Sequence, residues 1–330
     1  MGHARRFDIG DTTTPAAGPG VLITQMNPSE LIRLVSETRG EPFVGKRSIG
    51  YWAWELETIP PSWKAAFRYV DEVWTPSSFC AEAIGRSAPR GLPIKVVPHR
   101  APVNEAAPAR ERFGLPLDHV IVLCAFDLRS TLARKNPFGA LEAFRRATAT
   151  TRYPATLVFK TVGGADAPES LAMLRAAIGD AADVVLLTES LDIEARDQLM
   201  ASCDIFLSLH RSEGFGLLLA EAMAAGKAVV ATGWSANMDF MDSDSSVLIP
   251  FTLFPVDDPQ GLYQKGVWAD ADRTAAGKAL AELINDPDYR VALGVKARTA
   301  ITERLGPSVI AQLMRRAFDN NSETPADLVQ

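Results

Sequence analysis

The chain has 330 residues, 47% hydrophobic and 22% charged, the balance of a folded protein too long for one hydrophobic core. Its net charge of −6 excludes a general polyanion binder, which needs clustered Lys and Arg, so no nucleic-acid partner is expected. Cys80, Cys124 and Cys203 sit in apolar segments without metal spacing and read as buried thiols, and with neither a bilayer-length apolar run nor a signal-peptide layout the expected location is cytoplasmic.

Residues 1–20, rich in Gly, Pro and Thr, read as irregular. Short β-type runs then alternate with helical patterns. "VLITQM" (21–26) predicts a strand, and "PSELIRLVSETRG" a helix opened by Pro28 and closed by Gly40. A strand over 47–54 ("RSIGYWAW") and a helix in "SWKAAFRYV" follow, then the strand "DEVWTPS", the helix "SFCAEAIG" and the strand "IKVVPH" (94–99). The polar stretch 100–118 breaks this rhythm and reads as a linker. Beyond it, "VIVLCAF" (120–126) is a continuous apolar run, the pattern of a strand covered on both faces. Asn136 offers a cap and Pro137 a first position to a helix that carries Phe138, Leu141 and Phe144 on one face. "ATLVFK", "DVVLL", "DIFLSL", "KAVVAT" and finally "SVLIP" (246–250) are further strands, with helices around 168–178, 192–202, 217–225 and 236–241 between them. The last third reads as helical. This alternation predicts an α/β protein of two doubly wound domains, 1–101 and 102–306.

Two such domains facing across a cleft bind ligands at the carboxyl ends of their strands. Arg129, Arg134 and Lys135 follow the strand 120–126, and Lys160 ends "LVFK". Each alone reads first as a solvated surface charge, but several cations at strand ends of one domain make an anion site suited to a diphosphate. After "DIFLSL", the stretch "HRSEGFG" puts Glu213 at a strand end, where Gly214 and Gly216 permit a tight turn and close approach by a ligand. Glu221 falls in the first turns of the next helix. Its carboxylate can accept from a vicinal diol such as a ribose pair, although a helix-start acid complementing the macrodipole is the plainer reading.

The run "SEGFGLLLAEAMAAGKAVVAT" resembles the E-x7-E signature of retaining glycosyltransferases with the GT-B fold, family 4 or glycosyl transferases group 1, with Glu213 and Glu221 as its two acids. Arg129 and Lys135, six positions apart, are similar to that family's Arg and Lys on the donor diphosphate. "RKNPFGALEAFRRA", "DEVWTPSSFCAEAI", "GYWAWELE" and "GWSANMDFM" resemble a bacterial subgroup acting in surface-polysaccharide assembly. The resemblance implies two Rossmann-like domains, with the C-terminal helix 307–330 packing back on the first and a nucleotide-sugar site in the second. Arg129 and Lys135 would hold the diphosphate, Glu221 the ribose hydroxyls, and Glu213 the donor sugar or the positive charge developing at its anomeric carbon. Backbone amides of Phe215, Gly216 and Leu217 would add donors. Lys160, His210, and Ser235 and Asn237 in the "GWSANMDFM" loop complete the expected donor side. No cofactor and no metal are implied. The expected substrates are a UDP-, GDP- or other nucleotide sugar and a glycan or lipid-linked acceptor, compatible with peripheral association at the inner face of a membrane.

The family pattern opens with a strand, a Gly-rich turn and a helix. Only about four strands precede the linker here, so the first domain is expected to be shortened. A catalytically impaired remnant that binds nucleotide sugar or a partner glycosyltransferase is therefore the alternative. Where many members carry a His, this chain has "YWAWELE". Trp52, Trp54 and Glu55 suit the acceptor or sugar side, while two Trp alternating along a strand suit core packing equally. His99, at the exit from the first domain, reads as a cleft residue or as part of a hinge. No G-x-G-x-x-G follows the first strand of either domain, which sets aside a dinucleotide-dependent oxidoreductase.

Overall fold

The computed structural model describes residues 18–101 and 105–319. Most of the irregular opening expected over 1–20, part of the expected linker and the end of the helix expected over 307–330 lie outside the described residues. The chain divides into two compact units, one running to Pro98 and resuming at Leu313, the other His99–Gln312. No helix among the described residues is long and apolar enough to cross a membrane.

In the first unit, β1 (Gly20–Thr24), α1 (Pro28–Thr38), β2 (Lys46–Tyr51), β3 (Glu72–Thr75), α2 (Ser78–Gly85) and β4 (Ile94–Val96) build a parallel four-stranded sheet whose strands lie in chain order. Pro28 opens α1, and Arg39 and Gly40, both in the left-handed region, end it. Ser77 caps α2 by accepting from the Cys80 N–H. Glu72 is buried, which a carboxylate tolerates only with partners. It accepts from Arg47 at 2.9 Å and from the Trp74 indole at 2.7 Å, with Lys95 at 3.2 Å. Arg47 and Lys95 also donate to the carbonyls of Phe318 and Ala317, at the end of the C-terminal helix.

Two expectations change in this unit. "SWKAAFRYV" forms a 3-10 helix over Pro61–Tyr69; its buried residues Trp63, Ala66 and Phe67 have a spacing that serves either kind of turn. The strand expected to reach residue 54 stops at Tyr51. Trp52 then folds back beside Gly50, where any Cβ would lie 2.5 Å from its indole nitrogen. Its ring packs 5.2 Å from Phe67 and 6.5 Å from Trp63, and the side chain is 0% exposed. Trp52 is therefore a core residue and offers no face to a sugar.

The second unit contains β5 (Val120–Asp127), α3 (Leu132–Lys135), α4 (Pro137–Thr148), β6 (Ala155–Val162), α5 (Pro168–Ile178), β7 (Val184–Leu187), α6 (Ile193–Ser202), β8 (Ile205–Ser208), α7 (Leu217–Ala224), β9 (Ala228–Thr232) and β10 (Val247–Ile249). Its sheet is all parallel in the order β10-β9-β8-β5-β6-β7. Strand order reverses between β5 and β8, the switch point at which doubly wound sheets take their ligands. Ile121 and Leu123, and on the opposite face Val122 and Cys124, are all buried, as the apolar run predicts for a strand covered on both sides. All three cysteines are buried thiols outside any disulfide.

The chain does not pass directly into helices after Ile249. An antiparallel hairpin, β11 (Phe251–Pro255) and β12 (Val267–Ala271), intervenes before α8 (Arg273–Asn285), α9 (Pro287–Leu305) and α10 (Pro307–Phe318). Pro250 reads as a terminator, and Thr252 and Leu253 are exposed, so β11 carries no clear buried alternation to announce it. The helix expected over 236–241 is a 3-10 turn, Ala236–Asp239.

The aromatic packing of Trp52 yields a direct test. Trp52→Ala is expected to destabilise the first unit by about 3–5 kcal/mol, read as a lower urea midpoint for the tryptophan-fluorescence transition. An unchanged midpoint would return Trp52 to the surface.

Candidate functional site

The site is built where β5 and β8 end. After β5 the backbone turns through Thr131, which has φ 61°, a costly value for a β-branched residue. Its hydroxyl accepts from the Arg134 N–H and thereby starts α3. Asn136, left-handed at φ 51°, ends α3 and caps α4 through the Gly139 N–H, so the predicted cap is present. Its amide also donates to the Leu209 carbonyl at 2.9 Å, tying the start of α4 to the segment after β8.

That segment is held from several sides. The Thr232 hydroxyl donates to the His210 carbonyl at 2.6 Å, and the Arg211 N–H donates to the Arg134 carbonyl at 2.8 Å. The Glu213 N–H donates to the Ser235 hydroxyl at 2.9 Å, while the Glu213 carbonyl accepts from the Ala236 N–H. Ser235 has φ 75°. Thr131, Asn136 and Ser235 are thus three of the four described non-glycine residues with positive φ, and all three bear on this site. Strain gathered in this way marks a place where geometry is over-determined.

Glu213 lies between two cations. Lys135 Nζ donates to one carboxylate oxygen at 2.5 Å, and Arg134 Nη1 is 3.3 Å from the other. The same Arg134 nitrogen donates to the Ser212 carbonyl at 2.9 Å. Burial pushes the Glu213 carboxyl up, but the positive charges of Lys135 and Arg134 outweigh it and hold the group at about 2. The carboxylate is therefore ionised at any physiological pH. Arg134 is the deeper cation, 3% exposed, against 16% for Lys135.

Lys135 and Glu213 line a cavity of about 120 Å³ together with Phe126, Ser208, Gly216 and Leu217. This is smaller than the roughly 300–1,000 Å³ of whole-ligand pockets. It opens at the N-terminus of α7, where Gly216 at φ 93° stands as N-cap without a side chain to fill the position. A cation and the positive end of an eight-residue helix at one opening suit an anionic group of phosphate size.

The other sequence-predicted residues scatter around this centre. Arg129 is exposed and forked onto Asp127, with Asp166 at 3.6 Å, and it does not line the cavity. Lys160 donates to the carbonyls of Thr161 and Glu189, both at 2.8 Å, and burial lowers its pKa. Glu221 lies on α7 near Arg196 and Asp197 of α6, its pKa raised mainly by burial. Phe215 is buried between the rings of His99 and Phe240, at 5.0 and 5.2 Å, and His99 itself is exposed.

Three side chains expected on the donor side are buried and spent on partners within the protein. His210 and Asn237 are both 0% exposed and pair with each other at 3.1 Å, while the Asn237 amide donates to the Thr232 carbonyl. Both side chains thus tie the segment after β8 to the Ala236–Asp239 turn and to β9. Ser235, mostly buried, likewise spends its hydroxyl on Glu213. In the first unit Trp54 is half-buried, its indole donating to the Thr58 carbonyl at 2.8 Å, and Glu55 beside it is half-buried. Sequence reasoning noted Arg134 as a strand-end cation without seeing it as the partner of Glu213. Only the fold sets these two residues, 79 positions apart, against each other.

Residues 120–269 match the model of the family Glycosyl transferases group 1. A phosphatidyl-myo-inositol mannosyltransferase of Mycolicibacterium smegmatis is 30% identical over 144 residues, 43% of this chain and 32% of that protein. A D-inositol 3-phosphate glycosyltransferase of Acidothermus cellulolyticus is 29% identical over 203 residues, 58% of this chain and 42% of that protein. The matches therefore span less than half the length of these relatives. Among solved structures, Anabaena HepE in complex with UDP-glucose superposes with a TM-score of 0.61 at 17% identity, covering 87% of this chain and 76% of that one. A glycosyltransferase from Rickettsia africae gives 0.66 at 14% identity, covering 92% and 78%. The fold is that of the GT-B glycosyltransferases.

The charge arrangement predicts an acid response with a defined sign. The folded Glu213 carboxyl ionises below its ordinary value of 4.5, at about 2. Its stabilisation, on the order of 3 kcal/mol, is complete above about pH 5 and is lost as pH falls toward about 2. Urea unfolding followed over this range is expected to show that loss in the wild type and not in Glu213→Gln, which starts from lower stability at neutral pH. Parallel acid slopes for the two proteins would contradict it.

Proposed function

We propose that this chain is a glycosyltransferase that moves a sugar from a nucleoside diphosphate to a glycan or lipid-linked acceptor, with retention of anomeric configuration and without a metal. The observation carrying the proposal is the Glu213 carboxylate held by Lys135 and Arg134 at the β5/β8 switch point, inside the segment that matches the family. In this reading the cavity takes a donor phosphate. Lys135, the more exposed cation, turns toward the phosphate oxygens, and the N-terminus of α7 adds its N–H groups. Exposed Arg129 exchanges its surface pairing with Asp127 for the diphosphate, an inexpensive change for a solvated ion pair.

The reacting bond joins the anomeric carbon to a phosphate oxygen. As it breaks, negative charge grows on the diphosphate and positive charge on the sugar ring; the acceptor hydroxyl oxygen bonds the same carbon and its proton passes to the departing phosphate oxygen. Fixed cations on the leaving side and the ionised Glu213 on the sugar side stabilise both without rearranging at the moment of reaction. Glu221, half-buried on α7, takes the ribose hydroxyls. The structural relative with bound UDP-glucose supports a nucleotide-sugar donor. The relative named for phosphatidyl-myo-inositol supports the lipid-linked branch of the acceptor proposal and a place in surface-glycan assembly at the inner face of a membrane.

Calorimetric titration with a panel of UDP- and GDP-sugars tests the reading. One donor is expected to bind, and Lys135→Ala to weaken it about tenfold to a hundredfold, the loss of one charged hydrogen bond. Glu221→Ala is expected to erase the preference for the ribonucleotide over its 2′,3′-dideoxy analogue. Turnover with lipid extracts, followed by NMR of the product anomer, is expected to give retention. No binding by any of these donors would refute the proposal, and tight binding without transfer or donor hydrolysis would favour a non-catalytic remnant.

A further inference from the structure

The β11–β12 hairpin, which the sequence does not announce, reaches the donor site through aromatic faces. The Arg134 guanidinium lies 5.6 Å from the centre of the Tyr263 ring, and that of Arg211 lies 5.1 Å from the Phe254 ring. Both rings rest against Trp268, which is 0% exposed, at 5.8 and 6.4 Å. The hairpin loop also supplies Gln260, whose side-chain oxygen accepts from the Leu132 N–H at 3.0 Å, at the start of α3. Asp258 shapes that loop by accepting from the N–H groups of Leu262 and Tyr263.

What these rings cover is a reciprocal brace. Arg134 donates from its side chain to the Ser212 carbonyl, and Arg211 donates from its side chain to the Ala133 carbonyl at 2.8 Å. Between them the Arg211 N–H meets the Arg134 carbonyl, and the Arg211 carbonyl accepts from the Ala269 N–H of β12. Each arginine thus holds the backbone beside the other. A guanidinium is suited to this because it can donate in its plane while an aromatic ring covers its face. Lys135 makes a simpler contact: its ammonium ends on Glu213 at the cavity wall.

We infer that the β11–β12 hairpin is a positioning element of the donor site, its Tyr263 and Phe254 rings seating the crossed arginines that fix Glu213 and leave Lys135 as the cation that moves to the donor. This rests on the donor-site reading above. Arg134 stays with Glu213 throughout, so the carboxylate keeps one counter-charge when Lys135 turns to phosphate. Without that second cation, donor binding would strip Glu213 of its partner and favour its protonation.

Tyr263→Ala and Tyr263→Phe separate this role from plain folding. In Tyr263→Ala, kcat for donor transfer or hydrolysis is expected to fall about tenfold to a hundredfold, with KM for the donor within about threefold, because the Lys135 contact remains. Tyr263→Phe keeps the ring face and is expected to stay within about twofold of wild type in both. Hydrogen exchange gives a readout without turnover. The amides of Arg211 and Ala269 are expected to exchange at least about tenfold faster in Tyr263→Ala while those of β5 and β6 are unchanged. Wild-type kcat in Tyr263→Ala, a fall in Tyr263→Phe equal to that in the alanine variant, or unaltered exchange at Arg211 would overturn the inference. A wild-type protein that neither binds nor turns over any nucleotide sugar would refute the transferase reading instead, and the exchange result alone would then decide whether the hairpin seats the brace.

Discussion

A carboxylate enclosed by protein keeps its charge only if cations are enclosed with it, and Glu213 sets that requirement for the second unit. Lys135 and Arg134 meet it from the short helix that follows β5, while Glu213 follows β8. The two segments are adjacent because β5 and β8 are neighbours in the sheet, on either side of the point where strand order reverses. Much of the remaining architecture near the site keeps these two segments in register. Asn136, Thr232 and Ser235 each spend a side-chain polar group on the segment 209–213, and His210 and Asn237 pair beneath it. Of the three positive-φ residues here, Asn136 and Ser235 are held by these same contacts and Thr131 by the Arg134 N–H.

This arrangement suits an anionic ligand better than it suits stability. A buried ion cluster is weak evidence for a stabilising device, since well-packed apolar residues often serve as well. It is strong where one member must change partners. Lys135 lines the cavity and is the more exposed of the two cations, whereas Arg134 is fixed by the Ser212 carbonyl and the Tyr263 ring. On the proposed reading, this division between a fixed and a movable cation would let a phosphate enter without leaving Glu213 uncompensated.

Much of the fold is legible in the residues. The uninterrupted apolar run 120–126 marks a doubly covered strand, Asn136 and Pro137 mark the start of a helix, and the alternation of the two marks parallel sheets. What escapes the sequence has a physical reason in each case. The strands of the β11–β12 hairpin are short, β11 is largely exposed and β12 buries adjacent residues on both faces, so neither shows the alternation by which strands are recognised, and Pro250 mimics a stop. Trp52 looks like a sugar platform because an aromatic on a strand serves a core or a ligand equally; only the rings of Trp63 and Phe67 beside it decide. At the site, Lys135 and Glu213 are visible through their placement at strand ends. Arg134 is visible in the same way but its pairing with Glu213 is not, and Arg211 and Tyr263 are not visible at all, because their contacts join segments far apart in the chain and no local pattern records which partner each will meet.

The crystal structure of a complex with a nucleoside diphosphate would test the account most directly. The account predicts phosphate oxygens in the cavity at the ends of β5 and β8, with Lys135 Nζ turned from Glu213 to within about 3 Å of one of them. Arg134 is predicted to remain between Glu213 and the Ser212 carbonyl. A diphosphate bound away from this switch point, or one that draws off Arg134 and leaves Lys135 on Glu213, would contradict it.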